Sequence, residues 1–311
     1  MWSGWWHAQA TRLNYPIAGA GTSPDAEQTS IEERTAPLGN AFPNRARSSQ
    51  SITAGGNGSK LRGNVLSSAA KTGRDAAPAL GLPTGTQISG LIFDLDGTLY
   101  LQGPVRRAML WRFLRAGVAR PVSTWREWRL VHRYRQAQEH LRTCPEPLAA
   151  EQFRLACDLS GLLPEQAAKA IAHWMEDAPL DILPRCLRPG VADLLEAAKN
   201  RGIRLGLLSD YPATRKLLAM GLDTYFSVVV TAQDDRVGVF KPSPNGLTLA
   251  LADLGVEPGR AVYIGDRPSV DGETAQRAGV AGVILGQPLG RAGRGWIGVP
   301  DVPALRALLV I

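Results

Sequence analysis

Short runs of almost purely apolar residues alternate with helical patterns from Ile88 onward in this 311-residue chain. Each run is too short for a typical helix and is rich in leucine or β-branched residues. Strands that are apolar on both faces and alternate with helices are typical of parallel sheets covered on both sides. The sequence therefore predicts an α/β fold with a doubly wound parallel sheet. The predicted strands lie in ISGLIFDLDGT, IRLGLLSD, FSVVVTA, AVYIGD and AGVILG.

One long interval interrupts this alternation. Between Gly103 and about Arg185 the sequence has helical periodicity and no convincing strand, as in STWREWRLVHRYRQAQEHL and PEQAAKAIAHWMED. We therefore expect a core domain made of residues 88–102 and 187–311, with an all-helical cap domain, residues 103–186, inserted after the first strand.

Residues 1–87 differ in composition from the rest of the chain. They are rich in Ser, Thr, Gly, Ala, Asn and Pro and lack sustained apolar periodicity. Such a segment buries too little apolar surface to offset the loss of chain entropy, so we predict a disordered N-terminal extension. Its arginines leave an organellar transit peptide as an alternative, although Asp25, Glu27, Glu32 and Glu33 are unusual in one.

Composition narrows the classes of protein further. No uncharged apolar run reaches the roughly 18 residues that a membrane-spanning helix needs, and the N-terminus lacks the apolar block of a secretory signal. Three cysteines without CxxC spacing indicate a reducing, cytoplasmic compartment and no zinc site. Only four histidines are present, so histidine-based catalysis is poorly supplied. The net charge of +7 favours anionic partners.

Acidic residues follow the predicted strands where parallel sheets place functional loops, at the carboxyl ends. Carboxylates converging there without histidine would repel one another unless a cation lay among them, and oxygen ligands favour Mg²⁺. The chemistry-bearing residues at these ends are Asp94, Asp96, Ser209, Asp210, Asp266 and Asp271, joined by Lys241 in the loop FKPSP.

The sequence resembles the haloacid dehalogenase (HAD) superfamily in four motifs that occur in the order typical of that superfamily. They are FDLDGT at 93–98, the hydroxyl of LLSD at Ser209, the lysine of FKPSP at Lys241, and GDRPSVD with Asp266 and Asp271. The resemblance spans about 88–286 and implies a Rossmann-like core. An all-helical cap after the first motif is most similar to phosphoglycolate-phosphatase-like members.

The resemblance also implies a role for each site residue. Asp94 would be the nucleophile that forms an aspartyl-phosphate, and Asp96 would protonate the leaving oxygen and later activate water. Mg²⁺ would be held by Asp94, the main-chain carbonyl of Asp96 and Asp266, with Asp271 bound to it directly or through water. Phosphate oxygens would be bound by Ser209, Lys241 and Thr98. Dehalogenating members usually lack the second aspartate, so Asp96 favours phosphate chemistry.

Several of these residues have a structural alternative. Ser209 also suits an ordinary turn, and Lys241 alone would suit a solvated surface. Asp210 is expected to bond turn amides, and Asp271 has the alternative of capping the following helix. Arg267 is expected to form a salt bridge with an acid of its own motif, Asp266 or Asp271, at least as readily as it contacts substrate.

The stretch from Arg106 to Arg135 holds nine arginines and a single acid, Glu127. Three interpretations stay open. The first is a solvated helical face whose aromatic residues point into the cap core. The second is a specificity surface for an anionic or bulky substrate, and the third is contact with anionic lipid or nucleic acid. The aromatic residues concerned are Trp111, Phe113, Trp125, Trp128 and Tyr134.

The resulting expectation is a Mg²⁺-dependent phosphatase that acts on a small phosphorylated metabolite, with no nucleic-acid partner and no transmembrane segment. Three alternatives remain at this point. The first is a phosphomutase that returns the phosphoryl group to its substrate. The second is a non-catalytic binding protein on the same fold. The third is a membrane-surface enzyme that uses the Arg106–Arg135 face on phosphorylated lipids.

Overall fold

The computed structural model of the protein describes residue 80 and residues 86–142, 148–158, 160–290 and 292–311. The predicted disorder of residues 1–87 falls, apart from Leu80 and the last two positions of that range, outside the described residues. Within the described part of the chain, no helix is both long enough and apolar enough to cross a membrane.

A single sheet forms the centre of the structure, with strand order β3-β2-β1-β4-β5-β7-β6. All neighbouring strands are parallel except β6, which pairs antiparallel with β7. The first strand, β1, therefore lies between β2 and β4, so the loops that follow these three strands meet at one edge. The strands are β1 (Gly90–Phe93), β2 (Arg204–Ser209), β3 (Val228–Thr231), β4 (Ala261–Gly265), β5 (Ala281–Leu285), β6 (Ala292–Gly293) and β7 (Trp296–Val299).

Helices cover both faces of this sheet, as the sequence predicted. Leu91 and Phe93 of β1 belong to one apolar core, whereas Ile92 between them belongs to the core on the opposite face. The strands are apolar throughout because both of their faces are buried. The helices are α1 (Gln102–Ala119), α2 (Pro121–Leu141), α3 (Leu148–Cys157), α4 (Pro164–Ile171), α5 (Val191–Asn200), α6 (Thr214–Met220), α7 (Asn245–Leu254), α8 (Glu273–Arg277) and α9 (Val302–Leu309).

Between β1 and β2 the described residues form helices and turns, with no strand of the sheet. Helices α1 to α4 are followed by a π-helical turn at Ala172–Asp177. They enclose an apolar cluster of their own, which includes Leu130, Ile171 and Trp174. This agrees with the helical periodicity of the sequence, while the division of the chain into separate domains stays a prediction.

The last two strands were not predicted from the sequence. The segment is short and rich in glycine, so its apolar content is low. The side chain of Trp296 lies against Gly272 and Gly293, where an added Cβ would stand only 2.6 and 2.2 Å from the indole. These glycines leave the space that the indole occupies at the end of the sheet.

The interpretation that the aromatic residues of the Arg106–Arg135 stretch point into the cap core is wrong for the three tryptophans of that stretch. Trp111, Trp125 and Trp128 are exposed, whereas Phe113 and Tyr134 pack into the cluster of the insertion. On α1 the buried side is occupied by Phe113, which stacks on Trp174 with ring centroids 3.7 Å apart. Trp111 lies two positions earlier in α1, on the opposite side of the helix.

Candidate active site

The loop after β1 carries the two aspartates of the first motif. Gly97 turns this loop with φ of +102°, a conformation that strains any residue with a Cβ. A Cβ there would also stand 2.1 Å from Asp266 Oδ2. The hydroxyl of Thr98 donates a hydrogen bond to Asp94 Oδ2 at 2.9 Å. Glycine is thus required for the first and fourth motifs to approach each other.

Lys241 joins three loops through one buried ammonium group. Its Nζ lies 2.5 Å from Asp94 Oδ1 and 2.7 Å from Asp271 Oδ1, and it donates to the Tyr263 hydroxyl at 3.2 Å. The residue is only 3% exposed, so the solvated surface lysine that the sequence left open is wrong.

The two aspartates of the fourth motif, Asp266 and Asp271, differ in their hydrogen bonds. Asp271 Oδ1 accepts from Lys241 and Tyr263, and its Oδ2 accepts from the main-chain N–H groups of Asp266 and Arg267. Both amides lie before α8, in the loop that follows β4. Asp271 therefore bonds this loop and does not cap α8. Asp266 Oδ1, in contrast, is buried with no hydrogen-bond partner among the described residues.

The protonation equilibria reflect this crowding. Burial, reinforced by repulsion from Asp271 and Asp266, raises the pKa of Asp94 to about 8 although Lys241 opposes the change. Burial and the Asp271 charge raise the pKa of Asp266 to about 6. Burial also disfavours the Asp271 carboxylate, but Lys241 outweighs it and the pKa of Asp271 is lowered. One lysine therefore does not neutralise this acidic group.

The donor set fits a hard divalent cation. Carboxylate oxygens of Asp94, Asp266 and Asp271 all lie within 4.8 Å of one another. Four hydrogen-bond donors already occupy Asp271, whereas Asp266 has an unpartnered buried oxygen. An oxygen-only set with excess negative charge suits Mg²⁺. Asp266 therefore offers a free oxygen to such an ion, and Asp94, which accepts one hydrogen bond on each oxygen, has fewer donors than Asp271.

Asp96 lies in a separate environment that the sequence did not indicate. Lys216, from α6, places its Nζ 2.8 and 3.1 Å from the two carboxylate oxygens, and the Tyr100 hydroxyl donates to Oδ1. Burial raises the pKa of Asp96, but attraction to Lys216 outweighs it and the net pKa is lowered. The main-chain carbonyl of Asp96 accepts from Gln102 Nε2. No motif contains Lys216, so only the fold brings it to the site.

Ser209 ends β2 as predicted, and it is buried. Its Oγ accepts a hydrogen bond from the main-chain N–H of Tyr211 at 3.2 Å, the turn contact that the sequence left as an alternative. Because β1 and β2 are parallel neighbours, Ser209 reaches the same edge of the sheet as Asp94. Its role in phosphate binding stays a prediction.

Asp210 connects the core to the helical insertion. Its carboxylate accepts from the Lys241 main-chain N–H at 3.3 Å, from Gln138 Nε2 at 3.0 Å and from Arg142 Nη2 at 2.8 Å. The expected structural role is therefore met, but by Gln138 of α2, by Arg142 directly after it and by an N–H of another loop. No amide of its own turn is among these donors. The expected salt bridge of Arg267 within its own motif is wrong: the guanidinium pairs with Glu139 at 3.2 Å and lies 3.7 Å from Asp210. Main-chain N–H donors already occupy Asp271 Oδ2 on that side.

A cavity of about 230 Å³ lies between the core and the insertion. Asp94 and Asp96 form part of its wall on the core side, and Lys216 lies beside them. Arg106 and Arg135 line the side formed by α1 and α2. Two carboxylates in different environments thus face one space that is also lined by cations, an arrangement that suits an anionic substrate.

Comparisons with known proteins agree with this geometry. A family model described as haloacid dehalogenase-like hydrolase matches residues 88–279. A phosphoserine phosphatase of Thermus thermophilus is 32% identical over 228 residues, covering 64% of this chain and 89% of the relative. A phosphoglycolate phosphatase of Rhodospirillum rubrum is 30% identical over 197 residues, covering 63% and 78%. A 2-haloacid dehalogenase structure from Pseudomonas syringae has a TM-score of 0.53 at 22% identity, covering 72% of this chain and 99% of its own, which shows a shared fold.

The opposite pKa changes of Asp94 and Asp96 predict opposite effects on stability without metal. Asp94 keeps its proton to about pH 8 in the folded state, so its ionisation destabilises the fold as pH rises from about 4 to 8. Asp94→Asn should therefore raise the melting temperature at pH 8 in EDTA, by roughly 2–4 °C for each kcal/mol gained, with the gain vanishing near pH 4.

Asp96→Asn is the matched control for this measurement. The pKa of Asp96 is lowered in the fold, so its charge stabilises the protein above the pH at which an unfolded aspartate ionises. This variant should lower the melting temperature at pH 8. Equal changes in the two variants would contradict the assignment of different electrostatic environments.

Proposed function

Since the chain belongs to the haloacid dehalogenase-like hydrolase family, we propose that it is a Mg²⁺-dependent phosphatase that cleaves small phosphomonoesters through an aspartyl-phosphate on Asp94. The observation that carries the proposal is the pair Asp94 and Asp96, which face one cavity from a single loop and have different charged neighbours. The two curated relatives described above are both named as phosphatases.

In the first step an oxygen of ionised Asp94, whose proton a bound cation would have displaced to solvent, attacks phosphorus and the bond between phosphorus and the ester oxygen breaks. The leaving oxygen takes a proton from Asp96. In the free protein Asp96 is a carboxylate beside Lys216. A bound phosphate would place further negative charge close to both of these side chains. That charge raises the pKa of Asp96 and makes it a proton donor in the complex.

In the second step a water molecule attacks the aspartyl-phosphate. Its proton passes to Asp96, the bond between phosphorus and Asp94 breaks, and inorganic phosphate leaves. Lys216 again favours the ionised form of Asp96, which is the form that accepts this proton. Once phosphate has left, Lys216 again lowers the pKa of Asp96, which releases this proton to solvent and returns to its starting carboxylate form.

Lys241, Thr98 and Ser209 would bind the non-bridging phosphate oxygens. Lys241 and Thr98 already contact Asp94, so each would lie next to a phosphoryl group carried there. Mg²⁺, held by Asp94, Asp266 and the Asp96 carbonyl with Asp271 supporting the loop, would supply positive charge against the phosphoryl oxygens.

Arg106 and Arg135 suggest the class of substrate. They reach the cavity from the insertion, away from the four motifs, and Arg106 is bonded there to Gln102. A substrate that carries a carboxylate in addition to its phosphate would pair with this side of the cavity. We propose small phosphorylated acids as the preferred esters.

The first test is phosphate release from a panel of phosphomonoesters with and without a carboxylate, in Mg²⁺ or in EDTA. We expect release only with Mg²⁺, loss by at least about 10³-fold in Asp94→Asn, and a comparable loss in Asp96→Asn. Arg135→Gln should lower kcat/KM for esters with a carboxylate and leave the others unchanged.

Exposed Arg185→Gln is the matched charge control for Arg135→Gln. Transfer of phosphate between positions of one ester without release would instead indicate a mutase. Tight ester binding with no turnover by the folded, Mg²⁺-loaded protein would indicate a binding protein. Activity that persists in Asp94→Asn would exclude the nucleophile that we propose.

The raised pKa values of Asp94 and Asp266 predict that Mg²⁺ binding releases protons. Below about pH 8 Asp94 is mainly protonated, and below about pH 6 Asp266 is too, so the ion must displace a proton to bind carboxylate. Apparent affinity should rise about 5-fold from pH 7 to 8 and roughly another 2-fold above pH 8, where it levels off. Titration calorimetry in buffers of different ionisation enthalpy measures this, and a flat affinity between pH 6 and 8 would contradict it.

A further inference from the structure

Large apolar side chains are exposed mainly on one part of the molecule. Of the eleven that the structure shows exposed among the described residues, seven lie on α1 and α2. On α1 they recur at helical spacing on the side that faces away from the cluster of the insertion. They are Leu110, Trp111, Leu114 and Val118 on α1, with Val122, Trp125 and Trp128 on α2; we call these seven residues the outer face.

The opposite sides of the same helices are already used. Val105 of α1 is buried, and Met109 and Phe113 pack against apolar clusters. Leu130 and Tyr134 of α2 are buried in the cluster of the insertion. The outer face is therefore a second apolar surface on these helices. Val118 is 88% exposed and Trp111 is 68% exposed, so most of each side chain is open to solvent.

The two helices of the outer face also carry positive charge. Five exposed arginines, in α1, in α2 or between them, form no ion pair with any acid that the structure describes. Glu127, the one acid of this stretch, accepts a hydrogen bond from Trp174 Nε1 at 2.7 Å and so serves the cluster of the insertion. Arg112 differs from the five in pairing with Asp181. The five arginines are Arg107, Arg115, Arg120, Arg126 and Arg133.

We propose that the outer face binds the surface of an anionic lipid bilayer. Tryptophan, leucine and valine on one side of a helix enter the interfacial region of a membrane, and flanking arginines bind lipid phosphates. This inference rests on the exposed surface and its charge, and it holds whether or not the proposed phosphatase activity is confirmed.

Other occupants fit the surface less well. A second copy of the chain would bring two sets of unpaired arginines together, and like charges at an interface oppose association. Nucleic acid would be attracted by the arginines, but the aliphatic side chains Leu110, Leu114 and Val118 offer it neither stacking nor hydrogen bonds. A bilayer with anionic headgroups would bind both the apolar side chains and the arginines of this surface.

Sedimentation of the full chain with lipid vesicles tests the proposal. We expect binding to vesicles of phosphatidylcholine mixed with phosphatidylglycerol and little binding to phosphatidylcholine alone. The double variant Arg115→Gln/Arg126→Gln should weaken binding by about 5-fold for each arginine removed. The double variant Trp111→Ser/Trp125→Ser should weaken it at least 10-fold, and it should reduce the quenching of tryptophan fluorescence by brominated lipid, to which Trp128 also contributes.

The matched controls lie elsewhere on the described surface. Leu218 is 65% exposed on α6, and Arg185 is exposed without an ion pair to a described acid. Leu218→Ser and Arg185→Gln should bind vesicles like the unchanged protein. Circular dichroism and melting temperature verify that every variant is folded.

Three results would overturn the proposal. The first is no binding of the unchanged protein to anionic vesicles. The second is equal vesicle binding by the tryptophan variant and its control, since the outer face would then not be the contact. The third is an oligomer in solution that Trp111→Ser/Trp125→Ser converts to a monomer, because a second copy would then cover the surface. Loss of phosphate release without loss of vesicle binding would count only against the proposed enzyme.

Discussion

The buried ammonium of Lys241, shared between Asp94 and Asp271, is the interaction on which the site depends. It connects the loops after β1 and β4 with the loop that leads into α7. Three carboxylates so close together in the interior would be unfavourable without a buried cation. One cation compensates them only in part, so the acidic group would be stabilised further by the divalent ion that we propose.

The two aspartates of the first motif lie two residues apart and still differ in their electrostatic environment. The turn at Gly97 brings this loop against the fourth motif, where Asp94 meets a concentration of negative charge. Asp96 faces the other way, toward Lys216 and Tyr100. In the free protein this difference leaves Asp94 protonated and Asp96 ionised, so the proposed chemistry needs it reversed. A bound cation would favour the Asp94 carboxylate, and a bound phosphate would favour the proton on Asp96.

The predictions from sequence succeed where the information is local. The doubly wound sheet is confirmed because each strand and each helix has its own periodicity, and the motif residues follow strands whose ends meet. Lys216 was missed because its distance from Asp96 is 120 residues in sequence and about 3 Å in space. Periodicity also could not distinguish the tryptophans from Phe113, since it locates an apolar helix but not which of two apolar sides is buried.

Hydrogen bonds connect the helical insertion to the residues of the candidate site. Gln138 and Arg142 hold Asp210, Asp210 holds the main-chain N–H of Lys241, and Arg142 also donates to the Lys241 carbonyl. A movement of α2 must therefore break or carry with it the contacts that fix the main chain of Lys241. The ion pair between Arg142 and Asp210 is shielded from water, so screening by salt weakens it little. Since α2 also contributes to the outer face, a bilayer bound there would contact the helix that ends next to Arg142, the residue bonded to the main chain of the site lysine.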